Sequence, residues 1–191
     1  MSAVTAAAPG PETARERRWR RRSLVALVLL VPVAFGEMSW SSVVSLLGNE
    51  DLVARDVAWG SSATFGGSDW RLADLKGGRG LDGLPANAVA VEADFAVTVG
   101  SPDLQNLWSR CKLMLVDADG RIWLPSSVPG LRLPEGAVSC NSAMFSGAKA
   151  GDVLKISETF TVPENATKTI RPAVGLGGER PYYLRFDRPP P

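Results

Sequence analysis

Between Val89 and Val99 the run VAVEADFAVTV alternates without a break. Val89, Val91, Ala93, Phe95, Val97 and Val99 fall on one face, and Ala90, Glu92, Asp94, Ala96 and Thr98 on the other. A period of two predicts a strand with one buried face. Shorter runs of the same kind follow: CKLMLV from Cys111, RIWL from Arg121, VLKISETFTV from Val153, then TIRPAVGL and YYLRF. Upstream, residues 63–65 and WRLADL from Trp70 predict a first strand pair. Turn chemistry separates the runs, and Asp117-Ala118-Asp119-Gly120 puts glycine where a hairpin needs a positive φ. Roughly seven or eight short strands, each with one buried face, predict an all-β fold, an antiparallel sandwich. One helix is expected among them, from Pro102 to Arg110, with Ser101 as N-cap and Leu104, Leu107 and Trp108 on a face that caps one end of the sandwich.

A different pattern opens the chain. Residues 24–35 (LVALVLLVPVAF) are apolar throughout, yet a membrane helix needs about 20 residues. Extended from Ser23 to Trp40, the run rises about 27 Å. Arg20, Arg21 and Arg22 then lie at one membrane interface and Trp40 at the other. Glu37 falls near the outer end of that span, where a carboxylate reaches headgroup water. Before Ser23 the chain carries a net charge of +4, although the whole chain sums to +1. Arginines abutting an apolar run mark the cytoplasmic side of a membrane segment in preference to a nucleic-acid site. The expected division is a disordered, Arg-rich cytoplasmic tail (1–22), a transmembrane anchor with its juxtamembrane segment (23–47), a stalk (48–60) and an exported sandwich (61–188). A competing reading is a cleaved signal peptide, because Ala34-Phe35-Gly36 has the small-x-small form of a cleavage site and cleavage there releases a form beginning at Glu37. Arg21-Arg22 also has the form of a twin-arginine export signal. Each reading places the rest of the chain outside the cytoplasm.

Composition narrows the chemistry. With 191 residues, 45% hydrophobic and 21% charged, the chain has room for one domain plus a tail. Histidine is absent, which removes Ser-His-Asp and Cys-His mechanisms and the common catalytic zinc sites. Cys111 and Cys140 both fall in the exported part, and an exported pair with no spare thiol forms one disulfide. Closing that loop stabilises by about 3 to 4 kcal/mol in the chain-entropy account. The bridge is expected to tether the weakly periodic segment 125–139 (PSSVPGLRLPEGAVS).

Several motif matches lack their context. Gly78-Arg79-Gly80-Leu81-Asp82-Gly83 fits Gly-x-Gly-x-x-Gly, but a strand follows it where a dinucleotide site needs a helix. Ser109-x-x-Lys112 straddles a strand start and Ser146-x-x-Lys149 lies in a glycine-rich turn, whereas a Ser-Lys pair needs one helical turn between its members. Asp117, Asp119 and Gly120 begin like a calcium loop that lacks its distal acid. Trp59, Trp70, Trp108 and Trp123 sit beside apolar segments and read as core. Asn165-Ala166-Thr167 fits a glycosylation acceptor. Glu158 shares a strand face with Leu154, Ile156, Phe160 and Val162, so either the register differs or a buried carboxylate needs a partner.

The long alternating strand, the Cys-bearing strand running into Asp-x-x-Gly-Arg-x-Trp (residues 111–123), the strand ending Phe160-Thr161-Val162-Pro163 and the terminal Tyr-Tyr-Leu-Arg-Phe together resemble the telokin-like, immunoglobulin-like domains of exported, membrane-anchored proteins in Gram-positive, actinobacterial-type bacteria. The resemblance covers about residues 58–187. It implies an immunoglobulin-like sandwich on a membrane anchor, with no catalytic residues to carry over; since no Cys follows the apolar run to take a lipid, the helix itself is the anchor. The expectation is therefore a non-catalytic extracytoplasmic binding or accessory module that needs no cofactor or metal. Its partners are the bilayer and another membrane or cell-envelope protein, not nucleic acid. The alternative is an exported carboxylate-dependent, glycan-directed hydrolase, for which Glu92, Asp94, Asp117, Asp119 and Glu158 are the candidate acids.

Overall fold

The computed structural model describes residues 14–190 apart from Gly80, Asp82 and Pro129. It divides into two units, residues 1–46 and residues 47–191. The first is built on helix α1 (Ala14–Asn49), 36 residues long with Pro32 inside it. Arg20, Arg21, Arg22 and Trp40 all lie on α1, whose described side chains are exposed along its length. The helix is long and apolar enough to cross a membrane.

Two expectations change here. Residues 14–22, expected to be disordered, are helical, while residues 1–13 lie outside the described residues. Nor does α1 stop at Trp40. The segment SSVVSLLGN continues it to Asn49, because no proline interrupts those residues and helix-compatible side chains follow one another. Glu37 consequently sits well inside the apolar helix instead of near its outer end.

The second unit is a sandwich of two five-stranded sheets. Its strands are β1 (Val53–Val57), β2 (Ser62–Phe65), β3 (Ser68–Arg79), β4 (Ala88–Val99), β5 (Lys112–Val116), β6 (Ile122–Trp123), β7 (Ala137–Val138), β8 (Val153–Pro163), β9 (Arg171–Gly175) and β10 (Tyr182–Phe186). One sheet has the order β1-β10-β9-β5-β6 and the other β2-β3-β4-β8-β7. Ten strands are thus present among the described residues, where seven or eight were expected. The two beyond the eight predicted runs are β1 and β7, of which β7 is two residues long. β1 comes from the segment read as a stalk. The sheets are also not purely antiparallel, since β1 runs parallel to β10 and β7 parallel to β8.

The core lies between the sheets. β4 contributes the whole predicted face, Val89 through Val99, every member buried, and β8, beside it in the same sheet, adds Ile156, Phe160 and Val162. Trp70 and Trp108 are fully buried with ring centroids 4.8 Å apart. Their indole N–H groups donate to the carbonyls of Phe65 and Gly66, so neither ring buries an unpaired donor. The expected helix from Pro102 shortens to α2 (Leu104–Leu107). Ser101 Oγ accepts from the Asp103 N–H in a local turn, and Arg110 at φ 55° ends the segment. Leu104 and Trp108 nevertheless cap the core as expected.

An ion triad ties the start of the unit to its sheet. The Leu52 and Val53 N–H groups both donate to the Pro181 carbonyl at 2.8 and 2.9 Å. The Asp51 side chain is only 3% exposed, with Lys112 Nζ 2.7 Å from Oδ2 and Arg180 Nε 3.3 Å from Oδ1. Gly175 makes room for it, because a Cβ there would stand 2.7 Å from Asp51 Oδ2. Removing one partner from a buried charge cluster strands the others. Asp51→Ala is therefore expected to destabilise the sandwich by about 3 kcal/mol, seen as a lower thermal midpoint for the intact protein in detergent micelles. An unchanged midpoint would show that the triad contributes nothing net.

Candidate functional site

The richest polar cluster lies on the outward face of β3, β4 and β8, and strand register builds it. Residues directly opposite each other across an antiparallel pair share a face. Glu92 pairs with Lys76 on one side and Thr159 on the other, and Asp94 with Asp74 and Ser157. The β3 contribution depends on a bulge. From Trp70 and Leu72, both core residues, a strict period of two would carry Asp74 and Lys76 inward. The register instead shifts between Leu72 and Asp74, and the extra residue Ala73 turns Asp74 and Lys76 to the surface. Nothing in WRLADL marks this bulge except the cost of the alternative, which buries two charges.

Lys76 Nζ lies 2.7 Å from Asp94 Oδ2, 3.7 Å from Asp74 Oδ2 and 4.0 Å from Glu92 Oε1. Its hydrogen bond to Asp94 is the main reason its amine is shifted upward. Ser157, itself buried, donates to Glu92 Oε1 at 3.4 Å. Burial, then the neighbouring charge of Asp94, pushes the Glu92 carboxyl up. Leu131, from the 125–139 segment, joins Leu75, Gly77 and Ala90 as the apolar wall of a shallow cleft beside this cluster. Chemically the face can accept hydrogen bonds or hold a cationic group, and its own lysine already occupies the focus of the carboxylates. Among the described residues no group of three or more His, Cys, Asp or Glu could hold a metal ion.

Glu158 resolves differently. It pairs with Ala93, a core residue, so its strand face is the one that periodicity assigned. Its partner is a backbone group: Glu158 Oε1 accepts from the Cys140 N–H at 2.9 Å, at the start of α3 (Cys140–Ala143). Burial raises this carboxyl above its ordinary value, and the hydrogen bond opposes part of the rise. Cys140 is bridged to Cys111, Cα to Cα 5.5 Å, with both residues buried. The bridge is one of several tethers on 125–139. Ser126 N–H donates to the Thr159 carbonyl and Thr159 Oγ1 donates back to the Ser126 carbonyl at 2.7 Å, and β7 lies on the edge of β8. Side chains of this segment also meet Glu158 and Thr159 in a second shallow cleft.

The other candidates are not assembled into sites. Lys112 is engaged by Asp51, away from a role beside Ser109. Ser146 Oγ accepts the Ala148 N–H in a turn. Asp117 accepts the Asp119 and Arg121 N–H groups and pairs with the Arg121 guanidinium, which makes it the organiser of a hairpin turn. Its carboxyl is held below the ordinary value because those hydrogen bonds and the Arg121 charge outweigh the opposing effect of desolvation. Gly80 and Asp82 of the glycine-rich match lie outside the described residues, and Gly78 belongs to the end of β3. Asn165 is exposed on a short 3-10 turn.

No known family model matches the chain, and no curated protein matches it either. Two solved structures are similar in fold. One is an uncharacterised β-sandwich protein from Clostridium difficile 630, with TM-score 0.42, 6% identity, 72% of this chain covered and 96% of that one. The other is a conserved hypothetical protein from Bacillus anthracis, with TM-score 0.41, 12% identity, 68% of this chain covered and 94% of that one.

The raised carboxyls set a pH dependence. A folded-state acid shifted upward binds its proton more tightly than the unfolded chain does, so its contribution is present below the ordinary value of 4.5 and is lost as pH rises through the shifted value. Stability is expected to decline from this source as pH rises above about 4.5. Glu158→Gln keeps an acceptor for the Cys140 N–H without burying a charge. It is expected to flatten that part of the pH profile and to raise stability at neutral pH, measured by denaturant unfolding from pH 4 to 8. A slope unchanged by the substitution would assign the effect elsewhere. Asp56 and Asp117, both shifted downward, act with the opposite sign and lose their contribution as pH falls through their lowered values.

Proposed function

We propose that this chain is a single-pass membrane protein with its N-terminus in the cytoplasm. Its immunoglobulin-like sandwich works outside as a non-catalytic binding or accessory module for another membrane or cell-envelope protein. The observation that carries the reading is α1: an unbroken apolar helix with arginines at its N-terminal end, preceding a unit that contains a buried disulfide. Arginine asymmetry sets orientation with the positive side inward, and a disulfide persists in an oxidising compartment.

The immunoglobulin-like assignment draws on strand order. β3-β4-β8 follows the order A-B-E, and β5-β9-β10 follows C-F-G, with β8, β9 and β10 consecutive as E, F and G are. Two features depart from that pattern. β7 lies beside β8 in the place of strand D but runs parallel to it, and the disulfide joins the start of β5 to α3 instead of crossing between B and F. The likeness to telokin-like exported domains is part of the same proposal and brings no activity with it.

A binding role suits a surface whose charged groups are mutually engaged: Asp56 with Arg171 and Arg185, Asp94 with Lys76. Glu92 and Asp94 are where the alternative, a glycan-directed hydrolase, would act.

Membranes from producing cells are expected to retain the full-length chain after alkaline carbonate washing, and protease added to protoplasts should remove the sandwich and leave a short membrane fragment. A dominant soluble form beginning at Glu37 would instead establish the cleaved signal. The same protein is expected to leave glycan substrates unchanged. Turnover lost in Asp94→Asn or Glu92→Gln, at unchanged thermal midpoint, would identify an enzyme.

A further inference from the structure

Glu37 has no place in a simple anchor. From Leu24 to Leu47 the helix rises about 36 Å, more than the roughly 30 Å of a bilayer's hydrocarbon core. If the arginines fix the inner boundary at Ser23, that core extends to about Ser42 and Glu37 lies about 8 Å below the outer boundary. If the apolar stretch is instead centred, Glu37 lies within about 2 Å of the bilayer midplane. In either register a glutamate side chain is too short to reach headgroup water comfortably, and an acidic group in hydrocarbon is costly unless it faces a partner. The helix itself offers no cation. No Lys or Arg occurs between Ser23 and Asn49, and the positions one turn away are Val33, Ala34, Trp40 and Ser41.

The face around Glu37 is suited to close approach. Spacings of three and four residues place Ala34, Ser41, Ser45 and Gly48 on the same side of α1 as Glu37. Small residues of this kind let a second helix backbone come near, and in a bilayer such contacts together with polar pairs hold helices together. A second copy of the chain is the wrong mate, because it brings another carboxylate and no cation.

Resting on the membrane-anchor reading, we propose that the Ala34-Glu37-Ser41-Ser45-Gly48 face of α1 docks a transmembrane helix of a different membrane protein, one that carries a Lys or Arg at the depth of Glu37. Charge complementarity selects the partner, and the small side chains set the distance. The anchor is then also the recognition element, which places the sandwich beside that protein's exported surface.

The test uses the full chain in phosphatidylcholine–phosphatidylglycerol vesicles, mixed with synthetic Leu/Ala transmembrane peptides that differ only in one central residue, Lys or Leu. Pairing is read by energy transfer between labels. The wild-type chain is expected to prefer the Lys peptide by roughly tenfold, the size of one polar interhelical contact in a bilayer. Glu37→Leu should erase the preference, while Ser39→Ala, on the opposite face, should keep it. Equal pairing with both peptides overturns the proposal, as does a chain that pairs with itself in preference to the Lys peptide. Retention in the vesicles under alkaline carbonate is measured first: a chain released at that step fails as an anchor, which separates that failure from failure of the partner assignment. In native membranes, a photocrosslinker at position 41 should trap a helix whose own apolar segment contains a basic residue; a trapped helix without one overturns the proposal.

Discussion

Hydrogen bonding along both sides of β4 dictates which face every residue of three strands presents. β4 pairs with β3 and with β8 along nearly its full length. Its valines and Phe95 have to be buried, which holds Ile156, Phe160 and Val162 inward on β8 and Trp70 and Leu72 inward on β3. A slip of one residue in either pairing would turn a whole apolar set to water. The polar cluster on the other side of the sheet is the complement of that burial: Glu92 and Asp94 face outward because their neighbours in sequence face inward.

Charges are treated according to how far they are removed from water. Asp51, almost fully covered, is met by both Lys112 and Arg180, as a buried carboxylate requires. The exposed network of Asp56, Arg171, Arg185 and Asp187 on the other sheet is worth little in comparison, because solvent screens it. Glu158 lies between these cases. It is half-buried, so its carboxyl is raised, and the one backbone N–H it accepts from offsets only part of that rise. The Cys111–Cys140 bridge helps set that contact, since it fixes the start of α3 against the core.

The helix and the sandwich solve different problems. In the sandwich the buried Asp51 carboxylate is met by Lys112 and Arg180 from within the fold; in α1 the apolar stretch leaves Glu37 without a counter-charge of its own. The same rule, that a charge removed from water needs a mate, accounts for Asp51 inside the protein and, on the proposed membrane placement of α1, points outside the chain for Glu37.

Sequence periodicity alone assigned the core face of β4, the face of Glu158 and the burial of Trp70 and Trp108, because a half-buried strand writes its burial directly into alternate positions. Spacing and compartment likewise assigned the Cys111–Cys140 bridge. Tertiary structure alone decided the rest. β1 and β7 are short, and their pairing depends on partners distant in the chain: β1 on β10, β7 on β8. The bulge at Ala73, which creates the Asp74–Lys76–Glu92–Asp94 cluster, is set by the register of β4 and not by any local signal. The partner of Glu158 is the N–H of Cys140, a residue distant in the chain at the start of α3. The length of α1 beyond Trp40 was also outside the apolar-run reading, since serines interrupt hydropathy without interrupting a helix. Alternation is a local property of a strand and can be read from its residues, whereas pairing partners, bulges and counter-charges belong to residues that meet only when the chain folds.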